Sequence, residues 1–386
     1  MIWLAVLIFL FWCIKGLDFL IGVLWGIPAL KRFSCPSPPA SPKISIIFAA
    51  RNEEDKVRDA VMTMLNMDYP DYEVIAVNDR SEDQTLALLQ DAALTASFSH
   101  FRIVNIETLP EGWIGKNHAL YEGAKMASGQ WLLFTDADVH FDPGTLKAAM
   151  NAVSCLNLDH LALFPWVISK NILESLFVLM FSFIFYLWFR PWAARNARSR
   201  RYVGIGSFNL LKREVYEEIG THRSIPLEVA DDMMLGRRVK ERGFKQMIMN
   251  GGGMISERWV EGFKGIVQSL EKNGFAGLHY NLFLLAGATL SLLLFDVAPF
   301  VLVFVARSYA LYFIVAALGI IFAMHLATQK DYRFSVMLFP FHAFGSLLIL
   351  WIIWRSAVKT LWAGGVKWRD TFYPLETLKK GPINTH

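Results

Sequence analysis

The stretch LLFTDADVHF, Leu132 to Phe141, joins a short apolar run to two aspartates that stand one residue apart, Asp136 and Asp138. Two carboxylates this close to an apolar segment repel each other strongly. Three arrangements would relieve the repulsion: one carboxyl is protonated, the loop lies in water, or a cation holds the pair together. The choice among them depends on what the rest of the chain brings to this pair.

Two earlier segments repeat the plan of an apolar run followed by polar side chains. The run 44–49 precedes Arg51 and Glu53, and the run 74–77 precedes Asp79. Helix-like patterns separate these runs, which predicts a parallel α/β sheet. Ligands bind at the carboxyl ends of the strands in such sheets, so we expect all three polar groups at one edge.

Convergence of these groups favours a cation at the aspartate pair. Carboxylate and phosphate oxygens are ligands that suit Mg²⁺ or Mn²⁺. The alternatives are a solvated loop or a cap for a helix that begins near Pro143. His140 has the spacing of a further ligand, although a polar histidine in a loop is the commoner case.

Composition sets the broad class of the protein. The chain has 386 residues, of which 54% are hydrophobic, and this is too apolar for one ordinary soluble domain. A net charge of +4 gives no reason to expect a nucleic-acid partner. The three cysteines lie far apart and lack the spacing of a structural zinc site.

Apolar segments at both ends predict membrane helices. Residues 1–30 are long enough to cross a bilayer, and Lys31, Arg32 and Lys43 follow them. The positive-inside rule then places the next domain in the cytoplasm. A cleaved signal peptide is the alternative, but the segment lacks a basic start and a cleavage site. Residues 281–354 form a second apolar block with two to three spans.

The predicted organisation has five parts. They are an N-terminal transmembrane anchor (1–30), a Pro-rich linker (31–42), an α/β domain (43–277) with an interfacial segment near 174–192, C-terminal transmembrane helices (278–357) and a basic juxtamembrane tail (358–386).

The motifs of the α/β domain resemble those of a known family. FAARNEE, VNDRSEDQT, LPEGWIGKNHAL, LLFTDADV and EVADDMMLGRRVKERGF are similar, in order and spacing, to the successive motifs of family 2 glycosyltransferases. The membrane layout resembles that of lipid-glycosylating members, the ceramide glucosyltransferase-like, hopanoid-associated and carotenoid glycosyltransferases. The resemblance implies a GT-A (Rossmann-like) domain with one N-terminal and two to three C-terminal transmembrane helices. It also implies a multi-pass protein of the inner cell membrane with its catalytic domain in the cytoplasm.

The resemblance assigns roles to individual residues of this chain. The residues implied for the donor nucleotide are Ala49, Arg51, Glu53, Asp79, Lys116 and Asp136. Asp138, with Asp136, would hold Mg²⁺ or Mn²⁺. The residues implied for the acceptor and diphosphate side are Gly206, Ser207, Asp231, Arg258 and Trp259.

Asp232 matches the catalytic base of the family. An inverting transfer needs a carboxylate that takes the proton of the acceptor hydroxyl. Two adjacent aspartates raise each other's pKa, which suits a base. The alternative for Asp231 and Asp232 is helix capping.

One departure from the family affects the expected function. Processive polysaccharide synthases carry Gln-x-x-Arg-Trp, whereas Ile255 stands here in place of the glutamine. We therefore expect a metal-dependent, inverting transfer of one hexose from a nucleotide diphospho-sugar, a UDP-sugar, to a membrane lipid. The alternatives are a polysaccharide synthase and an inactive membrane scaffold that binds nucleotide sugar or a partner.

The apolar run 174–189 and the five arginines that follow it suit an anionic membrane surface. The alternative for this apolar run is a buried helix of the α/β domain.

Overall fold

The computed structural model describes residues 1–33, 41–95, 100–271, 273–332, 334–368 and 371–379. They divide into two compact units. The α/β unit comprises Ile27–Ile168 and Pro191–Arg258, and the helical unit comprises Met1–Gly26, Ser169–Arg190 and Trp259–Lys380. Most of the predicted linker 31–42 lies outside the described residues.

The helices alternate between the two units along the chain. In chain order they are α1 (Ile2–Ile21), α2 (Val57–Met64), α3 (Thr85–Thr95), α4 (Gly115–Met126), α5 (Thr145–Leu156), α6 (Ile172–Phe189), α7 (Arg213–Glu218), α8 (Asp231–Glu241), α9 (Gly262–Glu271), α10 (Leu282–Ser291), α11 (Ala298–Leu302), α12 (Ser308–Thr328), α13 (Ser335–Leu338), α14 (His342–Ala363) and α15 (Leu375–Lys379).

The strands belong almost entirely to the α/β unit. They are β1 (Ile44–Ala50), β2 (Tyr72–Asp79), β3 (Phe101–Ile106), β4 (Trp131–Asp136), β5 (His140–Phe141), β6 (His160–Phe164), β7 (Trp166–Val167), β8 (Asn209–Lys212), β9 (Gln246–Asn250) and β10 (Ile255–Glu257), with β11 (Gly365–Trp368) and β12 (Thr371–Pro374) in the helical unit.

A seven-stranded sheet with the order β3-β2-β1-β4-β8-β6-β9 forms the centre of the α/β unit. Its pairs are parallel except those of β8, which is antiparallel to β4 and β6. Ala49 of β1 stands opposite Val77 of β2 and Asp136 of β4. The carboxyl ends of these three strands therefore meet at one edge, as the sequence predicts.

Both faces of the sheet are covered, so its central strands are apolar throughout. Ile46 and Phe48 of β1 belong to one hydrophobic core, and Ile47 belongs to the other. The side chains alternate between the faces because the period of a strand is two residues. Gly123 lets α4 approach closely: a Cβ there would lie 2.7 Å from Ile47 and 2.8 Å from Val77.

A second, three-stranded sheet with the order β5-β10-β7 lies in the same unit. Ser256 of β10 pairs with His140, and Ile255 pairs with Phe141. Because β5 begins two residues after Asp138, this pairing brings β10 next to the aspartate turn.

The helical unit matches the predicted membrane segments, with two differences. Five helices of the described chain are long and apolar enough to cross a membrane: Ile2–Gly26, Ile172–Arg195, Leu282–Leu302, Ser308–Thr328 and Ser335–Ala363. The last one continues beyond the predicted limit at 357, to a cap at Gly364 with φ 68°. The apolar helix α6 lies in this unit, not in the α/β unit, because it packs against α1, α9 and α14.

A chain of buried polar groups links the helices of this unit. His325 contacts the carbonyl of Ser335 at 2.6 Å through Nδ1 and the Nδ1 of His342 at 3.1 Å through Nε2. The Nε2 of His342 lies 3.3 Å from the Oδ1 of Asp296. Ionisable groups are costly inside an apolar bundle unless they pair, so these contacts fix how α12 and α14 pack.

Candidate functional site

The loops that follow β1 and β2 are joined by hydrogen bonds. The backbone N–H of Asn52 donates to Oγ of Ser81 at 3.1 Å, and that of Glu53 donates to Oγ1 of Thr85 at 2.8 Å. Since Arg51 directly precedes this pair of bonds, the segment Arg51–Glu53 is held beside the end of β2. Two of the predicted nucleotide contacts thus share one edge of the sheet.

Asp79 lies at the end of β2, and a neighbouring arginine neutralises it. Arg80 donates from Nε to Oδ1 at 2.7 Å and from Nη2 to Oδ2 at 3.1 Å. A Cβ on Gly115 would collide with both partners, so glycine allows α4 to begin directly against them. The same helix start carries Lys116, and the second and third sequence motifs therefore meet.

Lys116 joins the two acidic motifs. Its Nζ lies 2.8 Å from Oδ1 of Asp136 and 3.3 Å from Oδ1 of Asp231. Burial alone would lower the pKa of this ammonium, but Asp136, Asp231 and Asp232 outweigh burial and raise it. Lys116 is therefore a cation, and it connects the end of β4 to the start of α8.

Asp138 has a different lysine as its partner. It lies in the turn after β4, where the Nζ of Lys56 is 3.4 Å from its Oδ2. Burial and the charge of Asp136 raise the pKa of Asp138, and Lys56 opposes that shift. The helix expected near Pro143 begins at Thr145 with Gly144 at its cap, so the capping alternative for the aspartate pair is not observed.

Asp231 and Asp232 occupy the first turn of α8, and Ala230 is the residue at its cap. A cap role for either aspartate is therefore not observed. The strand-like segment before β8 runs close against them: a Cβ on Gly204 would collide with the carbonyl oxygen of Asp232. A Cβ on Gly206 would lie 2.7 Å from Oδ2 of Asp136 and 3.6 Å from Oδ2 of Asp232.

The environment of Asp232 is that of a base. Burial, followed by the charge of Asp231, raises the pKa of Asp232 to about 7, while Lys116 lowers it. Burial also raises the pKa of Asp231. A carboxyl group with a pKa near the working pH is an efficient general base, because both of its protonation states are accessible.

Glu257 is a site residue that the sequence interpretation missed. It follows Ser256 on β10, next to the aspartate turn, and pairs with Val167. Burial and then the charges of Asp136, Asp138 and Asp232 raise its pKa well above the ordinary value. Its only sequence signal is its place in Ile255–Trp259, directly before the predicted site residues Arg258 and Trp259. Ile255 itself is fully buried in the core, so it could not contact a ligand.

Lys56 and Asn117 were missed as well. Asn117 donates from Nδ2 to the carbonyl oxygens of Ile225 and Glu228, at 2.8 and 2.9 Å. It thereby fixes the loop that leads into α8. Neither residue could be recognised by spacing, because their partners lie about eighty residues or more away in the chain.

The residues predicted for the acceptor side are divided between the two units. Ser207 lies beside Gly206, its carbonyl accepts from Oγ1 of Thr135 at 2.8 Å, and its buried hydroxyl has no partner among the described residues. Arg258 ends the α/β unit. Trp259 begins the helical unit and packs against Phe177 and Phe181 of α6.

The donor set of the site fits a hard divalent cation. Among the described residues, no three histidine, cysteine, aspartate or glutamate side chains form a complete metal site. Mg²⁺ needs only one or two carboxylates when water and phosphate oxygens supply the rest. Asp136 and Asp138 provide such a pair, and the charge of Asp136 helps burial to raise the pKa of Asp138.

Comparisons with known proteins identify the domain. Residues 45–220 match the model of glycosyl transferase family 2. The 4,4'-diaponeurosporenoate glycosyltransferases of Staphylococcus aureus strains MRSA252 and USA300 are each 24% identical to this chain over 234 residues. Each match covers 60% of this chain and 60% of the relative, less than two thirds of its length.

A solved structure shares the fold. It is a mannosyltransferase from Pyrobaculum calidifontis in complex with GDP-Man and Mn²⁺, 20% identical, with a TM-score of 0.53. The alignment covers 93% of this chain and 99% of that one. With this likeness and the family match, the α/β unit has the GT-A fold, and its residues 45–220 match glycosyl transferase family 2.

Proposed function

We propose that this protein transfers one hexose, with inversion, from a nucleotide diphospho-sugar to a membrane lipid. The α/β unit would face the cytoplasm and the helices would make the protein a multi-pass component of the inner membrane, as Lys31 and Arg32 after the first apolar helix favour. A UDP-sugar is the proposed donor. The named S. aureus relatives glycosylate a carotenoid acid, and this supports a lipid acceptor.

One observation supports the proposal most strongly: Lys116 contacts both acidic motifs at once. It places the predicted donor side, Asp136, and the predicted acceptor side, Asp231, within reach of one ammonium group. A Cβ on Gly206 would lie within 4 Å of the carboxylates of both Asp136 and Asp232. A reaction in which an incoming hydroxyl displaces a diphosphate leaving group from one carbon atom needs this arrangement, since the two groups act on opposite sides of that carbon.

The donor would bind along the strand edge. Ala49, Arg51, Glu53 and Asp79 would surround the nucleoside, and Lys116 at the start of α4 would meet the phosphates, because helix N-termini and ammonium groups attract anions. Asp136 and Asp138 would hold Mg²⁺ or Mn²⁺, which supplies positive charge to the leaving diphosphate. Lys116 adds to that charge and stabilises the diphosphate as it departs.

Asp232 would accept the proton of the acceptor hydroxyl as its oxygen attacks the anomeric carbon. The backbone at Gly206 and Ser207 would line the path of the acceptor, and the unpartnered hydroxyl of Ser207 is available to a bound sugar or lipid headgroup. The buried Ile255 counts against a processive synthase, since that position has no access to a glycan. Single transfer is therefore the proposed outcome, visible as one product and not a ladder of oligosaccharides.

Asp232→Asn tests the proposed base. It should lower the transfer rate at least a hundredfold, because an amide cannot accept the proton. Nucleotide binding, measured by calorimetry, should be unchanged. Asp91→Asn makes the same chemical change at an exposed ion pair with Arg58 and should leave transfer intact. Full activity of Asp232→Asn would remove Asp232 from the mechanism and favour an inactive scaffold if cellular function also survived.

The pH dependence of transfer tests the environment of the base. The rate should rise with pH through about 7, since Asp232 must lose its proton to act and its pKa is raised to about 7. Asp231→Asn removes a neighbouring negative charge, so the rising limb should move to lower pH. A limb that stays in place or moves to higher pH would show that Asp231 does not act on the base.

Gly206→Ala tests the contact between the two sides of the site. The new methyl would lie 2.7 Å from Oδ2 of Asp136 and must displace it. We expect kcat/KM to fall roughly a hundredfold, the scale of a 1 Å misplacement. The melting temperature should hardly change. Gly319→Ala on α12, where no atom lies within 4 Å, is the matched control. Unchanged kcat/KM would place the reaction elsewhere.

A further inference from the structure

The segment Arg195–Arg201, here called the arginine loop, is a concentrated positive patch. Its arginines, all exposed, are Arg195, Arg198, Arg200 and Arg201. No acidic residue occurs in the sequence from 191 to 213. Within the described chain, Arg195, Arg198 and Arg200 have no carboxylate at ion-pair distance. These four charges equal the formal net charge of +4, so the other charged residues of the protein sum to zero.

The backbone of the arginine loop is fixed by its own polar side chains. Oδ1 of Asn196 accepts from the N–H of Arg198 at 3.0 Å, and Oγ of Ser199 accepts from the N–H of Arg201 at 3.1 Å. Nζ of Lys240 donates to the carbonyl of Asn196 at 2.7 Å. The local polar groups are therefore used within the loop and with α8, while the guanidinium groups of Arg195, Arg198 and Arg200 remain exposed to an external partner.

The arginine loop leads directly into the candidate site of the α/β unit. Val203 donates from its N–H to Oε1 of Gln246 at 2.8 Å, and Gly204 packs against the carbonyl of Asp232. Gly206 then meets the carboxylates of both acidic motifs. Four residues stand between Arg201 and Gly206, so the two are at most about 18 Å apart even when this segment is fully extended. The positive patch therefore lies within that distance of the proposed acceptor side.

We propose that the arginine loop binds the anionic headgroups of the bilayer surface and holds that surface beside the acceptor side of the site. The inference rests on the proposed function only in naming the neighbouring site as the place where a lipid acceptor reacts. A bilayer is available to this protein, since five of its described helices are apolar enough to cross one. Each arginine near an anionic surface strengthens binding roughly fivefold, and this attraction decreases with salt.

The test measures lipid binding without sugar transfer. The full chain in neutral detergent is titrated with phosphatidylglycerol, phosphatidylcholine or inorganic phosphate, and the melting temperature is recorded. Phosphatidylglycerol should stabilise the protein far more than the other two. A triple variant, Arg195→Gln with Arg198→Gln and Arg200→Gln, should need on the order of a hundredfold more phosphatidylglycerol. High salt should remove the difference between the variant and the original protein.

Two further variants separate the loop from total charge and from folding. Arg58→Gln with Lys125→Gln and Lys147→Gln removes the same charge elsewhere in the α/β unit, at surface ion pairs, and should respond as the original protein does. A triple Arg→Lys variant of the loop keeps the charge and should also retain the response.

Several results would overturn the proposal. They are an unaltered response of the triple Gln variant, an equal loss in the charge control, and stabilisation by inorganic phosphate equal to that by phosphatidylglycerol. Nucleotide binding is measured on the same samples. An absence of nucleotide binding would count against the proposed function. Stabilisation by phosphatidylglycerol tests the arginine loop independently of nucleotide binding.

Discussion

Repulsion among carboxylates is the constraint on which the site depends. Five acidic side chains from three parts of the sequence interact electrostatically with one another: Asp136, Asp138, Asp231, Asp232 and Glu257. Lys116 contacts Asp136 and Asp231, and Lys56 contacts Asp138. Burial makes the repulsion among the carboxylates costly, and it raises the pKa of Asp138, Asp231, Asp232 and Glu257. A fold retains such a cluster when a ligand of opposite charge completes it.

The same repulsion among carboxylates would link donor binding to catalysis. A cation at Asp136 and Asp138 would relieve the repulsion on one side, while the phosphates it brings would compete for Lys116. Weaker contact between Lys116 and Asp231 would in turn change the charge felt by Asp232. Donor binding and the basicity of Asp232 are therefore expected to be coupled, because one lysine serves both.

The sequence predicted the parts of this structure that depend on local pattern. Apolar runs alternating with helices predicted the parallel strands β1 to β4, although not the antiparallel β8, and the polar residues after 44–49, 74–77 and 132–135 were correctly placed at one edge. The long apolar segments were likewise recognisable from composition. Both signals are periodic or compositional, so they can be recognised without knowledge of tertiary contacts.

Contacts between distant segments could not be predicted in this way. Lys56 pairs with Asp138 and Asn117 bonds to the carbonyl of Glu228 because the sheet brings separate loops together. Burial, followed by the charges of neighbours more than twenty residues away in the chain, raises the pKa of Glu257. The assignment of α6 to the helical unit also depends on tertiary packing, since an apolar helix suits either a membrane unit or a domain core.

The relief of this repulsion by a donor and its metal ion can be measured directly. The melting temperature of the detergent-purified protein is recorded with UDP or GDP, with and without Mn²⁺, for the original chain, Asp138→Ala and the exposed control Asp68→Ala. Nucleotide at a hundred times its Kd should stabilise the folded protein by about 2.7 kcal/mol. This stabilisation should require Mn²⁺ and should be absent in Asp138→Ala. Without ligands, Asp138→Ala should melt higher than the original chain, because one repelling charge is gone. Stabilisation that persists in Asp138→Ala, or that needs no metal, would contradict a metal-bound donor at the aspartate pair.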